Sequence, residues 1–137
     1  MRVFLDTNVL VSALTTRGLC SELLEVVFIE HELLIGEVVL HELRRVLAQK
    51  FSIPPPVIKG FEKVLRYQDR MVGPGNFRGA VLADPDDLPI LACALEGPAE
   101  VFVTGDRELL RLEAVAGMPI VSPRQLWLQL APQFRAT

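Results

Sequence analysis

The chain has 137 residues, half of them hydrophobic, and a formal net charge of −3. No linker-like stretch, internal repeat or low-complexity tract divides it, so one globular domain is expected over residues 1–137, with a core over about 1–130 and a short C-terminal tail. The apolar runs are too short to span a bilayer, and the opening Met1-Arg2-Val3-Phe4-Leu5-Asp6 lacks the long apolar stretch of a signal peptide; no membrane partner is expected, and the expected location is cytoplasmic.

In chain order, Val3-Phe4-Leu5 reads as a buried strand that ends abruptly in Asp6. A short helix is expected from Asn8 to Leu14, broken at Arg17-Gly18, and a second helix covers Ser21 to Val27. Leu33-Leu34-Ile35 is a second short strand closed by Gly36. The spacing then predicts a helix over Glu37 to Lys50, with Val39, Leu43, Val46 and Leu47 on one face. Pro54-Pro55-Pro56 leads into an amphipathic helix that aligns Val57, Phe61, Val64 and Leu65. Arg70-Met71-Val72 is a candidate third strand, and Gly73-Pro74-Gly75-Asn76 a loop. A helix follows from Asp86 to Leu95, stopped by Gly97-Pro98. Val101-Phe102-Val103 is the fourth strand, Arg107 to Leu112 a short helix, and Pro119-Ile120-Val121 the fifth strand. A last helix begins at Ser122 or Pro123 and runs through Leu130. Strands alternating with helices predict an α/β fold: a parallel five-stranded sheet with helices on both faces.

In such sheets sites form at the carboxyl ends of strands, and acids stand there. Asp6 follows the first strand; Thr104-Gly105-Asp106 follows the fourth. Each acid also reads as the N-cap of the next helix. Glu42 lies three residues after Val39 and four before Val46, so it shares or borders their face; a solvated glutamate at the edge of the stripe is the alternative. Asp87 precedes Ile90, Leu91, Ala94 and Leu95 at helical spacing, in line with a buried face. Within Asp84-Pro85-Asp86-Asp87, Asp86 reads as the cap, which frees Asp87, and Asp84 stays open between a turn residue and an outer acid.

Four such acids brought together would repel one another, and a hard divalent cation would relieve that repulsion. Asn8 and Thr104 could complete a polar shell without adding charge. Cys20 and Cys93 form no metal-binding pair, and His31 and His41 stand apart, which disfavours zinc. The acidic balance weighs against a nucleic-acid partner only weakly, because two divalent cations on four acids would reverse its sign.

Phe4-Leu5-Asp6-Thr7-Asn8, Glu42-Leu43-Arg44-Arg45-Val46-Leu47, Asp87-Leu88-Pro89-Ile90-Leu91-Ala92-Cys93-Ala94 and Val103-Thr104-Gly105-Asp106, in that order, resemble the PIN-domain family over nearly the whole chain. The resemblance implies a metal-dependent endoribonuclease that cleaves single-stranded RNA with Mg²⁺ or Mn²⁺. Many relatives are toxins of prokaryotic toxin–antitoxin pairs of the VapC type, and the Asp-Pro-Asp-Asp stretch looks most like the toxin branch. Asp6, Glu42, Asp87 and Asp106 would be the catalytic and metal-holding residues, Asn8 and Thr104 their polar neighbours, and Asp84 and Asp86 an outer shell. An RNA substrate, an antitoxin protein and a homodimer are partner expectations at family level. Pro89 departs from the pattern and puts the helix start, not the acid, in doubt.

Arg17, Arg107 and Lys50 are candidates for phosphate contact, as are Arg44 and Lys63; a solvated surface role is the alternative for each. A haloacid-dehalogenase phosphatase would want an acid where Asn8 stands, and a receiver domain would want a lysine where Ser122 stands. The rival from another class is a non-catalytic PIN-like module that binds RNA or protein.

Overall fold

Adjacent residues of a strand point to opposite faces of a sheet. Val3, Phe4 and Leu5, Leu33, Leu34 and Ile35, and Val101, Phe102 and Val103 are all buried, so both faces of the sheet are covered. The structure, a computed structural model, describes residues 1–68, 70–72 and 88–135. Its elements run β1 (Arg2–Leu5), α1 (Thr7–Thr15), α2 (Leu19–Glu30), β2 (Glu32–Gly36), α3 (Glu37–Lys50), α4 (Pro55–Gln68), β3 (Arg70–Val72), α5 (Leu88–Glu96), β4 (Val101–Val103), α6 (Arg107–Arg111), β5 (Ala114–Val115), β6 (Met118–Val121) and α7 (Pro123–Arg135).

The strand order is β3-β2-β1-β4-β6-β5. Five strands are parallel, as the alternation predicts: Val3 lies opposite Leu33 on one side and Val101 on the other, and Val103 opposite Val121. The chain winds outward from β1 to β2 and β3, then returns to place β4 on the other side of β1. The carboxyl ends of β1 and β4 therefore flank a topological switch point, where open α/β sheets form their binding crevice. Phe4 and Phe102 pair across the two central strands and stack with ring centroids 5.5 Å apart.

A short antiparallel strand at one edge adds to the five parallel strands expected. Ala114–Val115 pairs antiparallel with Met118–Pro119 at the sheet edge. Ala116 and Gly117, at φ 48° and 83°, form the two-residue turn, the double left-handed geometry that favours Asn-Gly or Asp-Gly. Alanine in the first position left no hairpin signal in the sequence. The face of α4 needs correction. Leu65 and Ile58 are buried and Phe61 is half-buried, whereas Val57 and Val64 are exposed. The last two sit beyond the edge of the stripe that meets α3 and β2.

The helix expected over Asp86 to Leu95 is described from Leu88, and Ile90, Leu91 and Ala94 are buried as its spacing requires. Asp84, Asp86, Asp87 and the loop at Gly73-Pro74-Gly75-Asn76 lie outside the described residues. No described helix is long and apolar enough to cross a membrane.

Helix α5 packs closely on β2. A Cβ added at Gly36 would run into Cys93 Sγ. Gly36→Ala is expected to cost about 1–3 kcal/mol, the usual range for overpacking. Cys93→Ala should recover part of that loss, because the remaining Cys93 Cβ is 3.7 Å from the added carbon. Urea melts of the two single variants and the double variant check this; additive losses would show that the two sites do not clash.

Candidate active site

Asp6 is the first residue beyond β1, and its placement is fixed from both ends. Its N–H donates to the Val103 carbonyl at 2.9 Å, which extends the β1–β4 ladder by one bond, and its carbonyl accepts from the N–H of Val9 at 3.0 Å. The side chain caps α1, with Oδ1 accepting the Thr7 N–H at 2.8 Å. Oδ2 accepts from the Thr104 hydroxyl at 2.8 Å and from Asn8 Nδ2 at 3.2 Å. The capping role expected from sequence is therefore real, and it holds the carboxylate in place at the sheet edge.

Thr104 is fully buried at the end of β4. Its N–H donates to the Val121 carbonyl at 3.0 Å. Its hydroxyl donates to Asp6 and accepts from the Asp106 N–H at 3.0 Å and from Asn8 Nδ2 at 3.2 Å. Asn8 Oδ1 accepts the Gly105 N–H at 2.9 Å. Asn8 and Thr104 thus lace the β1 and β4 loops together, as neutral neighbours of the acids. Asp106 caps α6 through Oδ1, accepting the Glu108 N–H at 2.8 Å and the Leu109 N–H at 3.4 Å.

Asp6, Glu42 and Asp106 line one cavity of about 510 Å³, together with Thr7, Asn8, Val11, Ser12, Thr15, Thr16, Val46, Lys50 and Phe51. Glu42 reaches it from α3 and is half-buried, which settles its position at the edge of that helix's apolar stripe. Asp87 lies outside the described residues, as do Asp84 and Asp86, so the structure brings together three of the four expected acids. Sequence reasoning missed Thr7, Ser12, Thr15 and Phe51. Thr7, Val11 and Thr15 recur at four-residue steps along α1, with Ser12 beside Val11, a pattern that marks a shared face but not what faces it.

Burial pushes the Asp6 carboxyl above the ordinary aspartate range. Hydrogen bonds from Thr104 and Thr7 oppose the rise, and the negative charges of Glu42 and Asp106 add to it. The lining residues offer carboxylate and hydroxyl oxygens without thiol or imidazole, a donor set suited to a hard cation and poor for zinc. Among the described residues, no three His, Cys, Asp or Glu side chains close up into a ready metal set. Thr7 Oγ1 is buried with no hydrogen-bond partner among the described residues, which leaves one polar atom beside Asp6 unsatisfied.

The expected cationic contacts divide. Arg44 is held by Glu62 at 2.8 Å, and Glu62 also meets Arg66, which pairs with Glu37 at 2.7 Å. Lys50 lines the cavity and has no ion pair among the described residues.

A buried acid at the switch point of a mostly parallel sheet, with further acids around the same cavity, defines a class, and comparison names it. The family model described as PIN domain matches residues 2–108, and the chain belongs to that family, whose members are generally nucleases. Among solved structures, the fold is similar to a chain in the crystal structure of VapBC2 from Rickettsia felis bound to a DNA fragment from their promoter. The TM-score is 0.64 at 16% identity, over 89% of this chain and 98% of that one. A search of curated protein sequences finds no significant match.

Two outcomes are expected from this geometry. Thr104→Val keeps the shape but removes the hydroxyl that joins Asp6, Asn8 and Asp106; it should cost about 1–3 kcal/mol, read by urea denaturation, because buried partners lose their hydrogen bonds. The second concerns pH. Because the folded carboxyl of Asp6 titrates above its unfolded value, its contribution to stability falls as pH rises from the unfolded to the folded value. The charge of Glu42 adds to that rise, so its removal matters where Asp6 is ionised. In chelator, Glu42→Gln should melt like the parent at low pH and a few degrees higher at neutral pH. A parent–variant difference that does not vary with pH would remove the coupling.

Proposed function

We propose that this protein is a metal-dependent endoribonuclease that cleaves single-stranded RNA, the toxin of a prokaryotic toxin–antitoxin pair. The observation that carries the reading is the convergence of Asp6, Glu42 and Asp106 on one open cavity at the switch point. Membership of the PIN-domain family supports it. The VapBC2 likeness supports an antitoxin protein as partner, since that structure holds a complex on its promoter DNA.

On this reading Asp6, Glu42, Asp87 and Asp106 hold Mg²⁺ or Mn²⁺. A cation bound there would supply charge to polarise the scissile phosphate and would lower the pKa of the attacking water. The chain supplies the rest. Asp6 is presented in one orientation, since both of its oxygens are engaged by Thr7, Thr104 and Asn8. That fixed orientation places negative charge at a defined point without reorganisation during the reaction. The Glu42 carboxylate has no hydrogen bond or ion pair among the described residues and is the one best placed to accept a proton from an incoming water. Accessible bases favour a single strand over a duplex as substrate.

Purified protein is expected to cut single-stranded RNA with Mg²⁺ or Mn²⁺ and to stop in chelator. Asp6→Asn and Asp87→Asn should lower the rate at least a hundredfold while circular dichroism keeps the helical signal. Cleavage at the parental rate by folded Asp6→Asn would reject the mechanism. RNA binding without metal-dependent cleavage by the parent, across a mixed cellular RNA pool, would favour the non-catalytic module.

A further inference from the structure

The acid cavity is a trough, and its two ends differ. One wall is α3, which contributes Glu42, Val46 and Lys50 at four-residue steps and then Phe51 just past its end. The other is α1, from Thr7 and Asn8 through Val11, Ser12 and Thr15 to Thr16. α1 starts beside Asp6 and ends at Thr15, and α3 carries Glu42 about two turns before Lys50, so the C-terminal ends of both helices line the part of the cavity away from the acids. From Glu42 to Lys50 the axial rise is about 12 Å, at roughly 1.5 Å per residue.

That far end carries no acid among its lining residues. It carries the ammonium of Lys50, which has no ion pair among the described residues although Arg44 and Arg66 on the neighbouring faces are paired. Lys50 also stands in the last turn of α3, where the helix dipole favours a cation. Beside it Phe51, an aromatic residue 45% exposed, lines the same cavity. The chain turns sharply after it: Ser52 takes φ 51°, and the Ile53 N–H returns to the Leu47 carbonyl at 3.0 Å. The backbone around the ring is thereby pinned, so the ring is offered from a fixed support. A cation next to an exposed aromatic is the combination that grips single-stranded nucleic acid, with the ring stacking a base and the cation meeting a phosphate.

We propose that Lys50 and Phe51 form a nucleotide-binding subsite of this protein. It holds a base and its phosphate at the end of the trough opposite Asp6 and so sets which stretch of an RNA strand is presented to the acids. The inference rests on the nuclease reading of the acid end. Its span exceeds the roughly 3.4 Å rise of one stacked nucleotide, so the base on Phe51 is not the one adjoining the reacting phosphate.

The test uses the full chain and fluorescein-labelled hexa-adenylate, followed by fluorescence anisotropy in chelator, where binding is read without cleavage. Phe51→Ala is expected to weaken binding at least about fivefold. Phe51→Trp should retain affinity, and its emission, corrected for Trp127, should be quenched as the base stacks. Lys50→Gln should reduce the salt dependence of log affinity by about 0.7, the share of one phosphate on a single strand. In cleavage assays with Mg²⁺, both losses should appear in KM with kcat little changed, since neither side chain stands beside the acids.

No binding by the parent, or parental affinity and salt slope in both Phe51→Ala and Lys50→Gln, overturns the subsite. If the parent still cuts RNA in that case, the nuclease reading survives alone. If the parent binds through Phe51 and Lys50 but cuts no RNA with metal, the subsite stands and the nuclease reading falls.

Discussion

The hydrogen bond from the Thr104 hydroxyl to Asp6 Oδ2, 2.8 Å long and buried, is the constraint on which the site depends. It joins the residue after β1 to the residue after β4, across the one place in the sheet where the winding reverses. Without it the two loops would share only the ladder bond from Asp6 N–H to Val103 and the outer bridge through Asn8. With it, a carboxylate that burial disfavours is kept in a single orientation. A buried acid without such partners would cost several kcal/mol or take up a proton.

The electrostatics of the cleft follow from the same arrangement. Asp6 is raised by burial first, and the charges of Glu42 and Asp106 add to the rise, so this acid is held against its preference at the sheet edge. Proteins seldom keep such an arrangement without a counter-charge, and the carboxylate and hydroxyl oxygens around the acids indicate which kind would suit it. Elsewhere, charge is neutralised on the spot. The Arg44, Glu62, Arg66 and Glu37 chain ties α3 to α4 on an exposed face, where each pair is worth little to stability. Its consequence is selective: it occupies two arginines and leaves Lys50 as a cation directed to the trough.

The core explains how a fold can be shared at 16% identity. What β1, β2 and β4 require is three consecutive apolar residues each, covered on both faces, and many sequences meet that demand. What the site requires is narrower: an acid immediately after β1, and a hydroxyl followed two residues later by an acid after β4. These positions must be met residue by residue, because strand register fixes where each side chain emerges.

The sequence by itself determined the five parallel strands, the span of α3 from Glu37 to Lys50, and the acids at the ends of β1 and β4, because short apolar runs and helical spacing are local signals. Both acids were also legible as candidate helix caps, since capping is decided within three residues. Tertiary structure decided the rest. The choice of Ile58 over Val57 for the buried face of α4 depended on where α3 and β2 stood. The β5–β6 hairpin depended on edge pairing strong enough to hold Ala116 in a left-handed conformation. That Glu42 lines the same cavity as Asp6 and Asp106 depended on α3 packing beside α1, a meeting of residues far apart in the chain. Local sequence sets which face a residue takes on its own element. Only the packing of elements sets what that face meets, because those contacts join segments whose separation along the chain carries no periodic signal.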